Sequence, residues 1–199
     1  MQTVDVRILI PLKRLADAKQ RLASVMDGGE RERLMLSMVT HVAREAVASG
    51  AGPVALASCE PRAAMLASSL GIGLVTDCGL PWNEGLVHAR ALLRPGADAV
   101  LYLAGDLPLL QAAEVTELVA AAPERGVVVG RAHDGGTNAL LVRPVDALVP
   151  SFGAPRSASV HVALAESAGL AAVVLDRPGL ALDVDTPDDV LRAGLRLPA

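Results

Sequence analysis

The chain has 199 residues, 52% hydrophobic and 20% charged, with a formal net charge of −4 at pH 7. That balance excludes intrinsic disorder, and the length supports a core that needs neither disulfides nor a structural metal. The acidic sign and only three aromatic residues, Trp82, Tyr102 and Phe152, exclude nucleic acid as the main partner, and also a broad grip on an anionic membrane.

In chain order, residues 6–10 (VRILI) read as a buried strand that stops at Pro11. Residues 30–49 carry Leu34, Met35, Met38, Val39, Val42 and Ala46 on one helical stripe, closed by Gly50. A short strand at 54–57 and a helix at 62–69 follow, then a strand at 72–76 and a helix at 84–93. Residues 100–104 (VLYLA) form the clearest strand, leading into Gly105-Asp106, a helix at 112–121 and a strand at 127–129. The last third reads as strand 139–142, helix 157–168, and strands 172–175 and 180–184. A final helix starts at Pro187, with Thr186 as its N-cap and Asp188 and Asp189 complementing its dipole. This alternation predicts an α/β fold: one domain over 1–199, with a mixed, mainly parallel sheet flanked by helices.

Cys59 and Cys78 belong to no Cys/His cluster, so zinc and iron–sulfur sites have no support and a reduced cytoplasmic setting is expected. The N-terminal apolar run is cut by Pro11 and Lys13, unlike a signal peptide, and no stretch reaches the roughly 18 apolar residues of a membrane helix. The excess of Ala and Leu fits a homodimer interface or a well-filled core.

Ligands of parallel α/β sheets sit beyond the carboxyl ends of the strands. Lys13, Arg14, Lys19 and Arg21 follow the first strand, Asp106 follows 100–104, and Asp183 and Asp185 follow 180–182. Arg131, His133, Asp134 and Gly135-Gly136-Thr137 follow the strand at 127–129. Cations at one strand end and carboxylates at two others suit a polyphosphate whose charge is shared with a magnesium ion. Each feature has a plainer reading: a solvated helix start for the cations, a turn or cap for Asp106, a hairpin for the glycine pair. Asp183 and Asp185 are harder to dismiss. In extended chain they share a face, and two adjacent carboxylates repel unless a cation lies between them; a metal, Lys13 or Arg21 would serve. His41, His88, His133 and His161 lack metal-ligand spacing and read as structural or surface residues. P-loop, dinucleotide, nucleophile-elbow and HExxH motifs are absent.

Six segments in order carry a resemblance: Pro11-Leu12-Lys13-Arg14-Leu15 with Ala18-Lys19-Gln20-Arg21-Leu22, Gly105-Asp106-Leu107-Pro108, Gly136-Thr137-Asn138-Ala139-Leu140-Leu141, Phe152-Gly153, and Leu182-Asp183-Val184-Asp185-Thr186-Pro187. Over residues 7–190 the chain resembles the 2-phospho-L-lactate / phosphoenolpyruvate guanylyltransferases of deazaflavin coenzyme F-420 biosynthesis. The resemblance implies a nucleotide-diphospho-sugar-transferase-like, Rossmann-like fold. It also implies transfer of GMP from GTP to a small phosphorylated carboxylic acid: 2-phospho-L-lactate, phosphoenolpyruvate or 3-phosphoglycerate. On the same footing Asp106, Asp183 and Asp185 would hold Mg2+, and Lys13, Lys19 and Arg21 would contact the GTP phosphates. Asn83 is implied near the nucleoside, with Thr137 and the Gly153 loop near the acceptor acid. Relatives commonly read Phe-Gly-x-x-Ser with a His soon after. Here Phe152-Gly153-Ala154-Pro155-Arg156-Ser157 carries either one inserted residue or Arg156 in the serine position. An extra guanidinium there would suit a carboxylate or phosphate. Molybdenum-cofactor and sugar-phosphate nucleotidyltransferases usually open with a Gly-rich loop that this chain lacks. A non-catalytic nucleotide-binding module would have no use for the three carboxylates.

Overall fold

A computed structural model describes residues 4–93 and 95–196. The strands are β1 (Val6–Pro11), β2 (Val54–Ala57), β3 (Gly73–Val75), β4 (Ala99–Leu103), β5 (Gly126–Arg131), β6 (Thr137–Arg143) and β7 (Ala171–Leu175). The helices are α1 (Gly28–Ala48), α2 (Ala63–Leu70), α3 (Trp82–Leu93), α4 (Ala112–Ala120), α5 (Ser157–Ser167), α6 (Pro178–Ala181) and α7 (Pro187–Arg192). All seven strands join one sheet in the order β3-β2-β1-β4-β6-β5-β7. Every pairing is parallel except the two made by β6, which runs against β4 and β5. The sheet is therefore mixed and mainly parallel, as the alternation predicts.

Strand side chains alternate between faces, so each buried strand feeds two cores. Ile8, Ile10, Leu101, Leu103 and Val128 pack with α1, α2 and α4, while Leu9, Tyr102, Val127, Val129, Leu140 and Val142 pack with α3 and α5. The α1 stripe seen in the sequence is the buried one: Met35, Met38, Val39, Val42 and Ala46. Its start lies two residues earlier than the pattern suggests. Asp27 accepts the Glu30 N–H at 2.7 Å while Glu30 accepts the Asp27 N–H, a reciprocal cap that offsets the low helix propensity of Gly28 and Gly29.

One expected strand is absent. Residues 180–184 begin in the short helix α6 and continue as extended chain outside the sheet. Pro178 occupies the first turn of α6, and the Glu114 carboxylate accepts the Gly179 N–H at 2.8 Å. A side chain at Gly179 would collide with that carboxylate. Apolar Leu180 and Val184 are fully buried, which explains why they imitate a strand in sequence. Thr186 caps α7 as expected, accepting the Asp189 N–H while Asp189 accepts the Thr186 N–H. Among the described residues, no helix is long and apolar enough to cross a membrane.

Candidate active site

The chain leaves β1 for β2 on one side and reaches β4 on the other. This topological switch opens a crevice at the carboxyl ends of β1 and β4. Because β6 is antiparallel to β4, its first residues, Thr137 and Asn138, face the same crevice. The resulting cavity holds about 860 Å3. Lys13, Lys19 and Arg21 line it from the loop after β1, and Asp106 from the loop after β4. Asp183 and Asp185 come from the segment before α7, and Gly153, Arg156 and Ser157 from the segment entering α5.

The carboxylates of Asp106, Asp183 and Asp185 lie within 4.8 Å of one another. Backbone geometry puts them there. Val184 donates its N–H to the Asp106 carbonyl at 3.2 Å and buries its side chain, so its two acidic neighbours share the opposite, cavity-facing side. Asn138 clamps the segment from β6, its Nδ2 donating to the Leu180 carbonyl at 2.9 Å and to Asp183 Oδ1 at 3.0 Å. Lys19, held at a left-handed φ of 51°, threads its ammonium between Asp106 and Asp185 Oδ1, the latter at 2.9 Å. Its side chain is only 6% exposed, so the ammonium is a fixed part of the site. Arg21 reaches Asp185 Oδ2 at 3.2 Å from the solvent-exposed rim.

The electrostatics follow from this crowding. Burial alone would lower the Lys19 pKa, but Asp106 and Asp185 outweigh it and hold the value above its ordinary 10.5. Asp183 moves up from the usual carboxylate range, through burial first and then the neighbouring Asp106 charge; the Asn138 hydrogen bond opposes the shift. Three carboxylates against the Lys19 ammonium and the exposed Arg21 guanidinium leave unbalanced negative charge, and their oxygens are the hard donors a divalent cation such as Mg2+ prefers. The donor set fits such an ion.

Across the cavity, Ser157 Oγ donates to Thr137 Oγ1 at 3.1 Å, and His161 Nδ1 lies 3.0 Å from the same oxygen. Of the two loop readings, the geometry puts Ser157, not Arg156, against Thr137. Arg156 is the left-handed residue, φ 52°, that turns the chain into α5. Its aliphatic stem packs over Gly135, whose φ of +88° admits few other residues. The Gly135-Gly136 turn joins β5 to β6 as the hairpin reading expects, and Gly136 lines the cavity.

Asn83 is not among the residues that line the cavity. Its amide donates to the Phe152 carbonyl at 3.1 Å and accepts the Phe152 N–H at 2.9 Å. Asn83 is a brace for the 151–156 loop, while its neighbour Trp82 faces the cavity. Lys13 Nζ sits 4.2 Å from the centroid of the Trp82 ring, a cation–π contact. Arg14, counted with the basic run, is exposed and lines no part of the cavity. Sequence reading assigned neither Asn138 nor Trp82 to the site, and it read His161 as a structural or surface residue. For His161 the signal was its spacing, since Ser157 and His161 stand four apart on one helix face.

A phosphoenolpyruvate guanylyltransferase of Sphaerobacter thermophilus is 42% identical over 193 residues, covering 96% of this chain and 91% of the relative. A phosphoenolpyruvate guanylyltransferase of Rubrobacter xylanophilus is 37% identical, covering 95% and 93%. Among solved structures, a nucleotidyl transferase from Methanothermobacter thermautotroptrophicus superposes with a TM-score of 0.67 at 19% identity, covering 94% of this chain and 95% of that one. At that identity the likeness is one of fold. The family described as guanylyl transferase CofC like matches residues 6–195, and the chain belongs to it.

Proposed function

We propose that this protein transfers GMP from GTP to phosphoenolpyruvate, or to the closely similar 2-phospho-L-lactate or 3-phosphoglycerate, releasing pyrophosphate. The product would serve deazaflavin coenzyme F-420 biosynthesis. The observation that carries this reading is the division of one cavity: a triad of carboxylates with Lys19 on one wall, and hydroxyls with a guanidinium on the other. The first wall suits a triphosphate and its cation, the second a small carboxylate. Both cysteines are free thiols, in keeping with a reduced cytoplasmic setting.

Asp106, Asp183 and Asp185 would hold the divalent ion, Mg2+ in our reading, which when bound supplies neutralisation of phosphate charge. A phosphate oxygen of the acceptor, already anionic, attacks the α-phosphorus of GTP. The bond to the β-phosphate bridging oxygen breaks, and pyrophosphate leaves with that electron pair. A protein nucleophile is unnecessary, so the chain contributes position and charge. Lys19 sits deep between two carboxylates, ready to follow negative charge into the site, while Lys13 and Arg21 on the rim meet the outer phosphates. Thr137 and Ser157 hold the acceptor's carboxylate, with Arg156 above them as a second anion contact.

The test is pyrophosphate release with GTP, Mg2+ and each acid in turn, with ATP and CTP alongside and mass spectrometry of the product. Release with GTP and a guanylylated acid supports the reading. GTP binding without release from any acid would overturn it in favour of a binding module.

A further inference from the structure

The hydroxyl pair of Thr137 and Ser157 has more to say, because its hydrogen bonds can be counted. The Ser151 backbone N–H lies 2.8 Å from His161 Nε2, and a backbone N–H can only donate. Nε2 therefore carries a lone pair, and in the neutral ring the proton is on Nδ1. That Nδ1–H must donate to Thr137 Oγ1 at 3.0 Å. The ring has no freedom to turn: it is fully buried, with the Phe152 ring edge-on at 5.1 Å and Tyr102 edge-on to Phe152 at 6.0 Å.

The consequence is arithmetic. Thr137 and Ser157 own two hydroxyl protons, and the bond between them consumes one. Thr137 spends a lone pair, not its proton, on His161. Neither hydroxyl has another hydrogen-bond partner among the described residues. One O–H is thus left to donate into the cavity both residues line. With the other tautomer, Thr137 would donate to a bare Nδ1 and Ser157 to Thr137. Both protons would then be spent, and oxygen lone pairs would face an incoming anion.

We infer that His161 is a positioning residue: by donating from Nδ1 to Thr137 while accepting the Ser151 N–H, it leaves the Thr137–Ser157 pair one hydroxyl proton for the acceptor's carboxylate. This rests on the reading that the acceptor binds against Thr137. The same histidine couples the site to the loop through Ser151, adjacent to Phe152, which Asn83 braces from the other side.

Two substitutions separate the ring's two bonds. His161→Asn keeps a donor near Nδ1 and gives up the Ser151 contact. His161→Gln extends an acceptor toward the Ser151 N–H and gives up the donor to Thr137. Thr137→Val removes the hydroxyl itself. The readouts are KM for phosphoenolpyruvate and for GTP separately, with calorimetric binding of phosphoenolpyruvate in the presence of Mn2+. Expected are at least a tenfold rise in the phosphoenolpyruvate KM for His161→Gln and Thr137→Val, a change within about threefold for His161→Asn, and an unchanged GTP KM in all three. If Thr137→Val binds phosphoenolpyruvate normally, the acceptor reading falls and this inference with it. If Thr137→Val is impaired and His161→Gln is not, or if both histidine variants are equally impaired, the inference alone falls. Should the variants fail to fold, the 15N–1H long-range correlation spectrum of the unmodified protein reads the tautomer directly. A proton on Nδ1 is expected, and one on Nε2 would overturn the proposal.

Discussion

Asp183→Asn puts the carboxylate cluster to its sharpest test, because it should move stability and activity in opposite directions. Asp183 lies within 4.8 Å of both Asp106 and Asp185, and its raised pKa reports the strain of burial beside like charge. At an effective dielectric near 20, each such pair repels by about 3 kcal/mol. Lys19 offsets part of this, and solvent reaches Asp185, whose side chain is 41% exposed, so a net relief of about 1–2 kcal/mol is the realistic scale. The asparagine can still accept from Asn138, so the clamp to β6 survives. Urea unfolding followed by circular dichroism, with metal chelated, should show the variant more stable than the parent. Pyrophosphate release should fall at least about a hundredfold, as expected when a ligand of the ion that neutralises transition-state charge is lost. Added Mn2+ should raise the parent's melting temperature and leave the variant's nearly unchanged. A variant less stable than the parent under chelation, or one that keeps parental turnover, would refute the reasoning.

The remaining predictions extend the same physics. Lys19→Met leaves the triad without its buried ammonium; a loss of about 3 kcal/mol is expected in urea, recovered largely by millimolar Mg2+, and a loss insensitive to Mg2+ would contradict the cluster. Asn83→Ala removes both hydrogen bonds to the Phe152 backbone, so a cost of about 1–3 kcal/mol and a larger rise in the acceptor KM than in the GTP KM are expected from unfolding and steady-state kinetics. Burial pulls the His161 pKa down from 6.5 to about 4. The unfolded chain then binds more protons in that window, so the contribution is complete above pH 6.5 and declines by up to about 3 kcal/mol as pH falls toward 4. Asp183, whose pKa is raised, acts in the opposite sense on acidification, but it does so equally in a His161→Asn variant. The pH-dependent difference between parent and variant thus isolates the histidine, and a constant difference across pH 4 to 6.5 would refute the assignment.

Much of the fold was legible because its signals are local. The α1 stripe, the buried runs that became β1, β2 and β4, and the Thr186-Pro187 start of α7 depend on neighbours within a few residues. The alternation of Asp183 and Asp185 about Val184 also survived, since two-residue periodicity needs only extended chain, in a sheet or out of it. The strand expected at 180–184 failed partly because Leu180 and Ala181 donate to the Arg177 carbonyl as a helical turn, and partly because the segment's other backbone partners, the Asn138 amide, the His133 N–H and the Asp106 carbonyl, each lie more than 40 residues away.

The site divides along the same line. That the cations follow β1 and Asp106 follows β4 was legible in the chain; Asp183 and Asp185 reach the same cavity from a segment outside the sheet. The partners of the site residues were not legible. Lys19 between Asp106 and Asp185, Asn83 on the Phe152 backbone, and His161 behind Thr137 join positions separated by 87, 166, 69 and 24 residues. A hydrogen bond has a reach of about 3 Å, so whether such groups meet is decided by the order of strands in the sheet and by the reversed direction of β6. Residue spacing constrains the face of an element a side chain occupies; only the assembled sheet determines what that face meets.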